Sequence, residues 1–540
     1  MTYIFLLFFY QQIMTSNCIN LDKLVSQFIS SDFINNRIQS YQHGKFRFWK
    51  TTDCLSILHK PSPFTTYDGC YLQNPDAPYG LIMLPPHKDE MIDKYFGFPV
   101  LEGDLSATWH LNPNEAILLL GITPPECKYF SFSNYLYSRF TDSDWLPNSS
   151  IPKYKHMCPP GSESERCEIF ASLDDSINLD RGLNLPSEKF NSFFALIISP
   201  SIKATNIIQQ GLRMINIPAT VISNYSYPGK HLNLGIESKD DTFLTIMRTA
   251  FYKNITQANQ YFNEIPFKVL RLEFSSKYSN LFDKKPLVKR DYGQHDATII
   301  NQSLDYMKNV QYILVEQVIR NVTEKSKNLK NNWSLQIAYT QSGVPENGFE
   351  CINNGQRCLG DCRDTIYPVN SETYNIASIC NRLQNLNHTG IISCDGTSDG
   401  LLTDNSDDKY IVVGVNHAKT QMARYSSLSV YDSKYLWGVY TIGNDDLENT
   451  VNAYIQHQVL HDPDIAQATP YMYIYEIRRD CENINNCITI PSTFNKNIPF
   501  IPYDDVVIIA ERMYNNPVTH VGPDKDSVIL PIVLHFRRKS

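Results

Sequence analysis

One pattern occurs twice in this chain and constrains its fold more than any other feature. The first copy reads Leu118-Leu-Leu-Gly121-Ile-Thr, a turn, and Lys128-Tyr-Phe-Ser-Phe-Ser-Asn-Tyr135. The second reads Ile411-Val-Val-Gly414-Val-Asn, a turn three residues longer, and Arg424-Tyr-Ser-Ser-Leu-Ser-Val-Tyr431. Each is an apolar run ending in Gly, followed by basic-Tyr-x-Ser-apolar-Ser-x-Tyr. Alternation with a period of two is the signature of a strand with two different faces. Its recurrence implies a duplicated supersecondary unit. The expected fold class is therefore α+β (mixed α/β). It comprises two duplicated halves, each an antiparallel β-meander packed with β-α-β elements and stapled by surface disulfides. A ligand cleft is expected between the halves.

The rest of the chain supplies material for such halves. Strands are expected at Ser106–Asn112, Glu115–Ile122 and Cys127–Ser138, and a fully buried one at Phe193–Ser199. Ile207, Ile208, Leu212 and Ile215 then fall at helical spacing, and Ala219–Ser223 reads as the return strand of a β-α-β unit. Helices are expected at Asp240–Asn263, Ala297–Lys327, Asp445–Val459 and Asp504–Tyr514. Between and after them, strands are expected at Phe267–Phe274, Trp333–Thr340, Tyr410–Val415, Arg424–Tyr431, Tyr435–Ile442, Tyr471–Ile477 and Val528–Phe536. This gives three regions after a leader at 1–18: β-rich 19–185, α/β 186–345, and 346–540 with a cysteine-rich loop. With 42% apolar and 19% charged residues, the chain has enough apolar surface for packed cores. A net charge of −8 excludes a nucleic-acid binder, which needs a basic stripe. No apolar run reaches the length of an integral membrane helix.

Compartment is read from the leader and the cysteines. Tyr3–Tyr10 (YIFLLFFY) has the length of a signal-peptide core, and Ser16-Asn17-Cys18 supplies a cleavage site, though no basic residue precedes the core. Removing it leaves twelve of the thirteen cysteines. Cys54 with Cys70, Cys158 with Cys167 and Cys481 with Cys487 lie close in sequence. Cys351, Cys358, Cys362, Cys380 and Cys394 form a dense group, with Cys127 as its sixth member. Disulfides and a secreted, extracellular or lysosomal location follow, with no metal and no cofactor expected. Seven N-x-S/T sequons fit a secreted glycoprotein, but chance alone gives about six at this composition.

Candidate chemistry is concentrated late in the chain. His417 follows a strand in Gly414-Val-Asn-His-Ala-Lys419, at the turn where the two echoes differ most. It is the first candidate general acid/base, with Asp361 or Asp364 to orient it and Arg363, Asn416, Lys419 and His110 to bind substrate. The plain alternatives are a structural histidine and a local Arg/Asp turn motif. Gly396-Thr-Ser398-Asp-Gly400 matches the G-x-S-x-G nucleophile elbow, yet its sequel Leu401–Asp408 is a poor helix. Asp395, Asp399, Asp404, Asp407 and Asp408 in the same loop lack EF-hand spacing and read as a solvated acidic loop. Three functions are therefore carried forward. One is a hydrolase using His417; the second is a non-catalytic secreted protein binding a small-molecule or carbohydrate ligand; the third is a serine hydrolase using Ser398.

Overall fold

The computed structural model describes residues 19–50, 53, 73–75, 78–87, 90, 101–102, 104–141, 165–185, 189–275, 304–324, 333–343, 347–354, 358, 360–371, 392–393, 398–405, 407–434, 436–455, 462–493 and 499–538. The expected leader, and Cys54, Cys70, Cys158, Cys380 and Cys394, lie outside them. The chain makes two compact units. One comprises Met1–Lys50, Ala77–Arg290 and Glu346–Arg363; the other comprises Thr51–Asp76, Asp291–Pro345 and Asp364–Ser540. Two units replace the three successive regions expected, because strands on either side of residue 186 pair with each other.

Among the described residues, nine strands of the first unit's ten-stranded sheet form one continuous path. They are β1 (Ile38–Trp49), β2 (Tyr79–Met83), β3 (Glu115–Ile122), β4 (Cys127–Thr141), β5 (Glu165–Ser172), β6 (Phe193–Ser199), β7 (Ile222–Ser226), β8 (Thr242–Tyr252) and β9 (Phe267–Phe274). They pair in the order β7-β6-β3-β9-β1-β2-β8-β4-β5. β1 is the fold line: its first half pairs with β9 and its second half with β2. Side chains from both limbs meet in one core, where Phe132 packs on Phe194 and Phe46 stacks on Phe267 at 4.0 Å. The opposite face of β3, β6 and β9 is covered by helices α1 (Leu21–Ser30), α2 (Asp32–Asn35) and α3 (Ile202–Met214). Being buried on both faces, β3 and β6 are continuous apolar runs, as expected of covered strands. The β6-α3-β7 unit is the anticipated β-α-β: its strands are parallel, and Ser201 caps the helix by accepting from the Ala204 N–H. Helix α4 (Ile255–Glu264) precedes β9.

Helix α5 (Leu304–Glu324) belongs to the second unit, while α6 (Asn347–Asn354) belongs to the first. The second unit is built on the same plan. Its strands are β10 (Trp333–Gly343), β11 (Thr365–Ser371), β12 (Lys409–Val415), β13 (Tyr425–Asp432), β14 (Gly438–Gly443), β15 (Met472–Arg478), β16 (Cys487–Thr489), β17 (Val507–Tyr514) and β18 (Ile532–Arg538). Their order, β16-β15-β12-β18-β10-β11-β17-β13-β14, is that of the first unit with nine added to every label. In both units only the first pair of that order is parallel. α5 covers β12, β15 and β18 through Met307, Val310, Leu314 and Val318.

The echoed residues stand at matching places. Gly121 pairs with Phe194 and Gly414 with Tyr473; a Cβ at Gly121 would meet the Phe267 ring at 2.4 Å, and one at Gly414 the Tyr473 ring at 2.4 Å. The Gly is needed because an aromatic ring of a neighbouring strand, β9 for Gly121 and β15 for Gly414, leaves no room for a Cβ there. Arg248 pairs with Ser131 and lies over Tyr79 and Tyr135; Arg512 pairs with Ser427 and lies over Tyr367 and Tyr431. The echoed strands are not meanders, however. β3 and β4 do not pair, and neither do β12 and β13, because each pair is split between the two limbs of its sheet.

Among the described residues, two expected helices are absent and a third is present only in its second half. Asp240–Asn263 is β8 followed by α4, whose N-cap is Asn254, and Asp504–Tyr514 contains β17. Both strands are buried on both faces, so their charged residues face neighbours rather than solvent and imitate an amphipathic helix. Asp445–Val459 forms, over its described residues, turns and the short 3-10 helix Thr450–Ala453. Disulfides join Cys351 to Cys358 and Cys481 to Cys487. Cys127 and Cys362, expected in the disulfide group, are buried thiols. No described helix is long and apolar enough to cross a membrane.

Glu511 is the exception in the core. It is fully buried opposite Leu428, and neither carboxyl oxygen has a hydrogen-bond partner among the described residues. At the matching place the first unit has Met247, opposite Phe132. Burial pushes the Glu511 carboxyl well above its ordinary value, so the folded state holds a proton that the unfolded chain releases above about pH 4.5. Stability is thus lost as pH rises from there. Glu511→Met is expected to raise stability by about 1–3 kcal/mol at pH 7 and by less near pH 4. Thermal unfolding at the two pH values checks this; a variant no more stable than wild type at neutral pH would refute it.

Candidate functional site

The arrangement begins with the pairing of β12 and β18. Alternation sends Ile532, Leu534 and Phe536 to the face covered by α5, so Val533, His535 and Arg537 take the other. His535 is directly opposite Tyr410 and stacks on its ring at 4.1 Å. Asp408 lies one residue before β12 and reaches His535 diagonally, Oδ1 to Nε2, at 2.7 Å. On the other side of the imidazole, Ser398 Oγ is 2.7 Å from Nδ1. His535 and Asp408 are fully buried and Ser398 is half-buried.

Hydrogen-bond logic fixes the proton. A carboxylate can only accept, so Nε2 carries the N–H that it donates to Asp408, and Nδ1 presents its lone pair to the Ser398 hydroxyl. Ser398 Oγ also accepts from the Gly400 N–H at 3.0 Å, which leaves its own proton for the imidazole. Burial alone raises the Asp408 carboxyl, but the hydrogen bond from His535 and the two donors of Thr403 outweigh it and hold the group below its ordinary value. Burial raises Tyr410, which keeps its hydroxyl proton. This is a nucleophile, base and orienting carboxylate within hydrogen-bond reach of one another.

The loop is therefore neither an elbow nor simply solvated. Residues 398–405 contain no helix, so the strand-turn-helix expected of G-x-S-x-G is not formed among the described residues, and Gly396 lies outside them. Asp408 is drawn inward by His535, and Asp399 is gripped by Arg537.

The matching place in the first unit holds different chemistry. Glu115 starts β3 as Asp408 precedes β12, and Arg271 stands on β9 where His535 stands on β18. Arg271 donates to Glu115 Oε1 at 2.9 Å and to the carbonyls of Pro85 and His110. His87 Nε2 lies 2.5 Å from Glu115, and His110 Nδ1 lies 3.0 Å from Glu90. Burial raises Glu90, but the His110 bond, the Arg271 charge and the His87 N–H bring it down to about 2. No group of three or more His, Cys, Asp or Glu among the described residues is arranged to hold a metal.

The candidate residues chosen from sequence do not assemble around His417. His417 Nε2 bonds the backbone of Ile529 and its Nδ1 faces Thr420; no carboxylate is among these partners. Asn416 bonds Asn444 and Ser426, and Lys419 pairs with Glu448. Asp361 lies in the first unit, its two oxygens taken by the Ser172 N–H and hydroxyl. Arg363 donates to Ser172 at 3.3 Å and lies near Asp174 and Asp175. Asp364 belongs to the second unit and its carbonyl accepts from Asn515. His110 is held by Glu90. Of the residues chosen from sequence, only Ser398 sits in the line with His535 and Asp408. His535 is not among the residues chosen from sequence, although Val533-Leu-His-Phe-Arg537 places a polar stripe on one face of an otherwise apolar strand.

The sequence matches no protein-family model and no curated protein. Solved structures similar to it include the following two. One is an uncharacterised protein from Burkholderia cenocepacia, 8% identical, covering 96% of this chain and 87% of that one with a TM-score of 0.33. The other is the VPA0106 protein from Vibrio parahaemolyticus, 10% identical, covering 80% and 88% with a TM-score of 0.32.

His417 makes a direct prediction. Burial lowers its imidazole to about 4, the Ile529 carbonyl opposing only in part. The unfolded chain therefore takes up a proton first, and stability falls as pH drops from about 6.5 towards 4. Following the His417 ring resonances by NMR should give a midpoint near 4. A midpoint between 6 and 7 would restore it as a base poised for catalysis.

Proposed function

We propose that this chain is a serine hydrolase of an oxidising compartment, secreted or lysosomal, that cleaves an ester or amide of a small molecule or carbohydrate. The observation that carries this is the line Ser398–His535–Asp408, with both hydrogen bonds at 2.7 Å. In the reaction Ser398 Oγ attacks the acyl carbon while its proton passes to His535 Nδ1. The imidazolium is stabilised by Asp408, and the same proton then goes to the leaving group. Water attacks the acyl-enzyme by the reverse path and releases Ser398. His417 plays no part in this chemistry. Two disulfides support the compartment.

A fluorophosphonate probe tests the reading. Wild type should be labelled at Ser398, with labelling abolished in Ser398→Ala, slowed about 10³-fold in His535→Ala and unaffected in His417→Gln. An unlabelled wild type would assign the line to holding the 398–408 loop and leave the chain in the ligand-binding class.

We also infer that the two units arose by duplication. The shared strand order, the matching backbone pairs Gly121–Phe194 and Gly414–Tyr473 and the two Arg–Tyr–Tyr groups support it. In an experimental structure the nine strands of each unit should superpose with Arg248 on Arg512 and Gly121 on Gly414. A different strand order in either unit would refute it.

A further inference from the structure

Arg537 contacts Asp408 and two residues that follow Ser398 in its loop, Asp399 and Leu401. It stands two residues after His535 on β18, on the same face of the strand. Its guanidinium grips Asp399, next to the nucleophile, with two N–H groups: Nη1 to Oδ2 at 2.5 Å and Nη2 to Oδ1 at 3.1 Å. Nη2 also donates to the Leu401 carbonyl at 2.8 Å, and Nε donates to Asp408 Oδ2 at 3.3 Å. The fork therefore holds the segment bearing Ser398 at one end and the second oxygen of Asp408 at the other. Thr403 shares that second oxygen through its N–H and hydroxyl, so Oδ1 is left to His535.

We propose that Arg537 is a positioning residue that sets the geometry of the line without touching substrate. It keeps Ser398 over Nδ1 and keeps Asp408 Oδ1 turned to Nε2. A planar fork suits this task, because one rigid group fixes two carboxylates and a carbonyl at set angles. A lysine in its place has charge but no fork, so it should satisfy one partner at a time. The proposal rests on the hydrolase reading for its consequence, but its geometric part can be read without any activity.

Two measurements on the full chain test it. The first is the far-downfield proton NMR signal of the His535 N–H bonded to Asp408, identified by its loss in Asp408→Asn. It should broaden or shift in Arg537→Gln and return part of the way in Arg537→Lys. The second is inactivation by the fluorophosphonate probe, resolved into probe affinity and maximal rate. In Arg537→Gln the maximal rate should fall about tenfold or more with affinity unchanged, and Arg537→Lys should recover part of it. An unchanged His535 signal in both variants, or a loss confined to affinity, overturns the proposal. Should wild type show the signal, and Arg537→Gln disturb it, while the probe labels nothing, the hydrolase reading fails and the clamp stands as a device for loop geometry. Arg537→Lys keeps the charge, so it still reports if the glutamine variant does not fold.

Discussion

The pleat of β12 against β18 is the constraint on which the candidate site depends. One face of each strand must lie under α5, and that requirement fills it with Ile411, Val413, Leu534 and Phe536. Once those residues are committed, Tyr410 and His535 have no choice but the opposite face, and the register sets them ring on ring. A slip of one residue would exchange the faces and drive His535 into the helix-covered core. The chemistry at Ser398 thus rests on apolar packing of the other side of the same strands.

The two limbs of each sheet extend this logic. Because β1 and β10 each pair on both sides, the sheet folds over and a second core forms between its limbs. That interior is aromatic in the first unit, with Phe46, Phe132, Phe194 and Phe267 in contact. In the second it admits Tyr473 and Glu511 where the first has Phe194 and Met247. A buried carboxyl without a partner lowers stability, so Glu511 makes this interior more polar than Met247 makes the first at the corresponding place.

Much of the fold was legible in the sequence, and the failures have physical causes. Phe193–Ser199 was legible because a strand covered on both faces must be continuously apolar. The echo around Gly121 and Gly414 was legible because an aromatic ring of a neighbouring strand leaves no room for a Cβ. Its topology was not, since short turns suggest neighbouring strands and nothing local says that the chain is crossing from one limb to the other. β8 and β17 read as helices because Arg248, Glu511 and Arg512 look solvent-facing in sequence, whereas tertiary partners bury them. The site divided in the same way. Ser398 carried a motif, and His417 drew attention as a histidine at a turn, where function is common. His535, in the interior of a closing strand, resembles core, and only the diagonal approach of Asp408 distinguishes it.

The contrast between Arg271 and His535 shows what a shared sheet position can and cannot do. At both places a buried carboxylate, Glu115 or Asp408, is held by a nitrogen-bearing side chain from the next strand. A guanidinium stays charged at any ordinary pH, so Arg271 can orient Glu115 but cannot accept a proton from a neighbouring hydroxyl. Its donors are spent on Glu115, Glu90 and two carbonyls, which closes the cluster as a fixed ion pair. An imidazole at that position keeps one nitrogen for the carboxylate and leaves the other with a lone pair. The exchange of one side chain therefore separates a position that only stabilises charge from one that can move a proton, and it is beside the second that Ser398 lies.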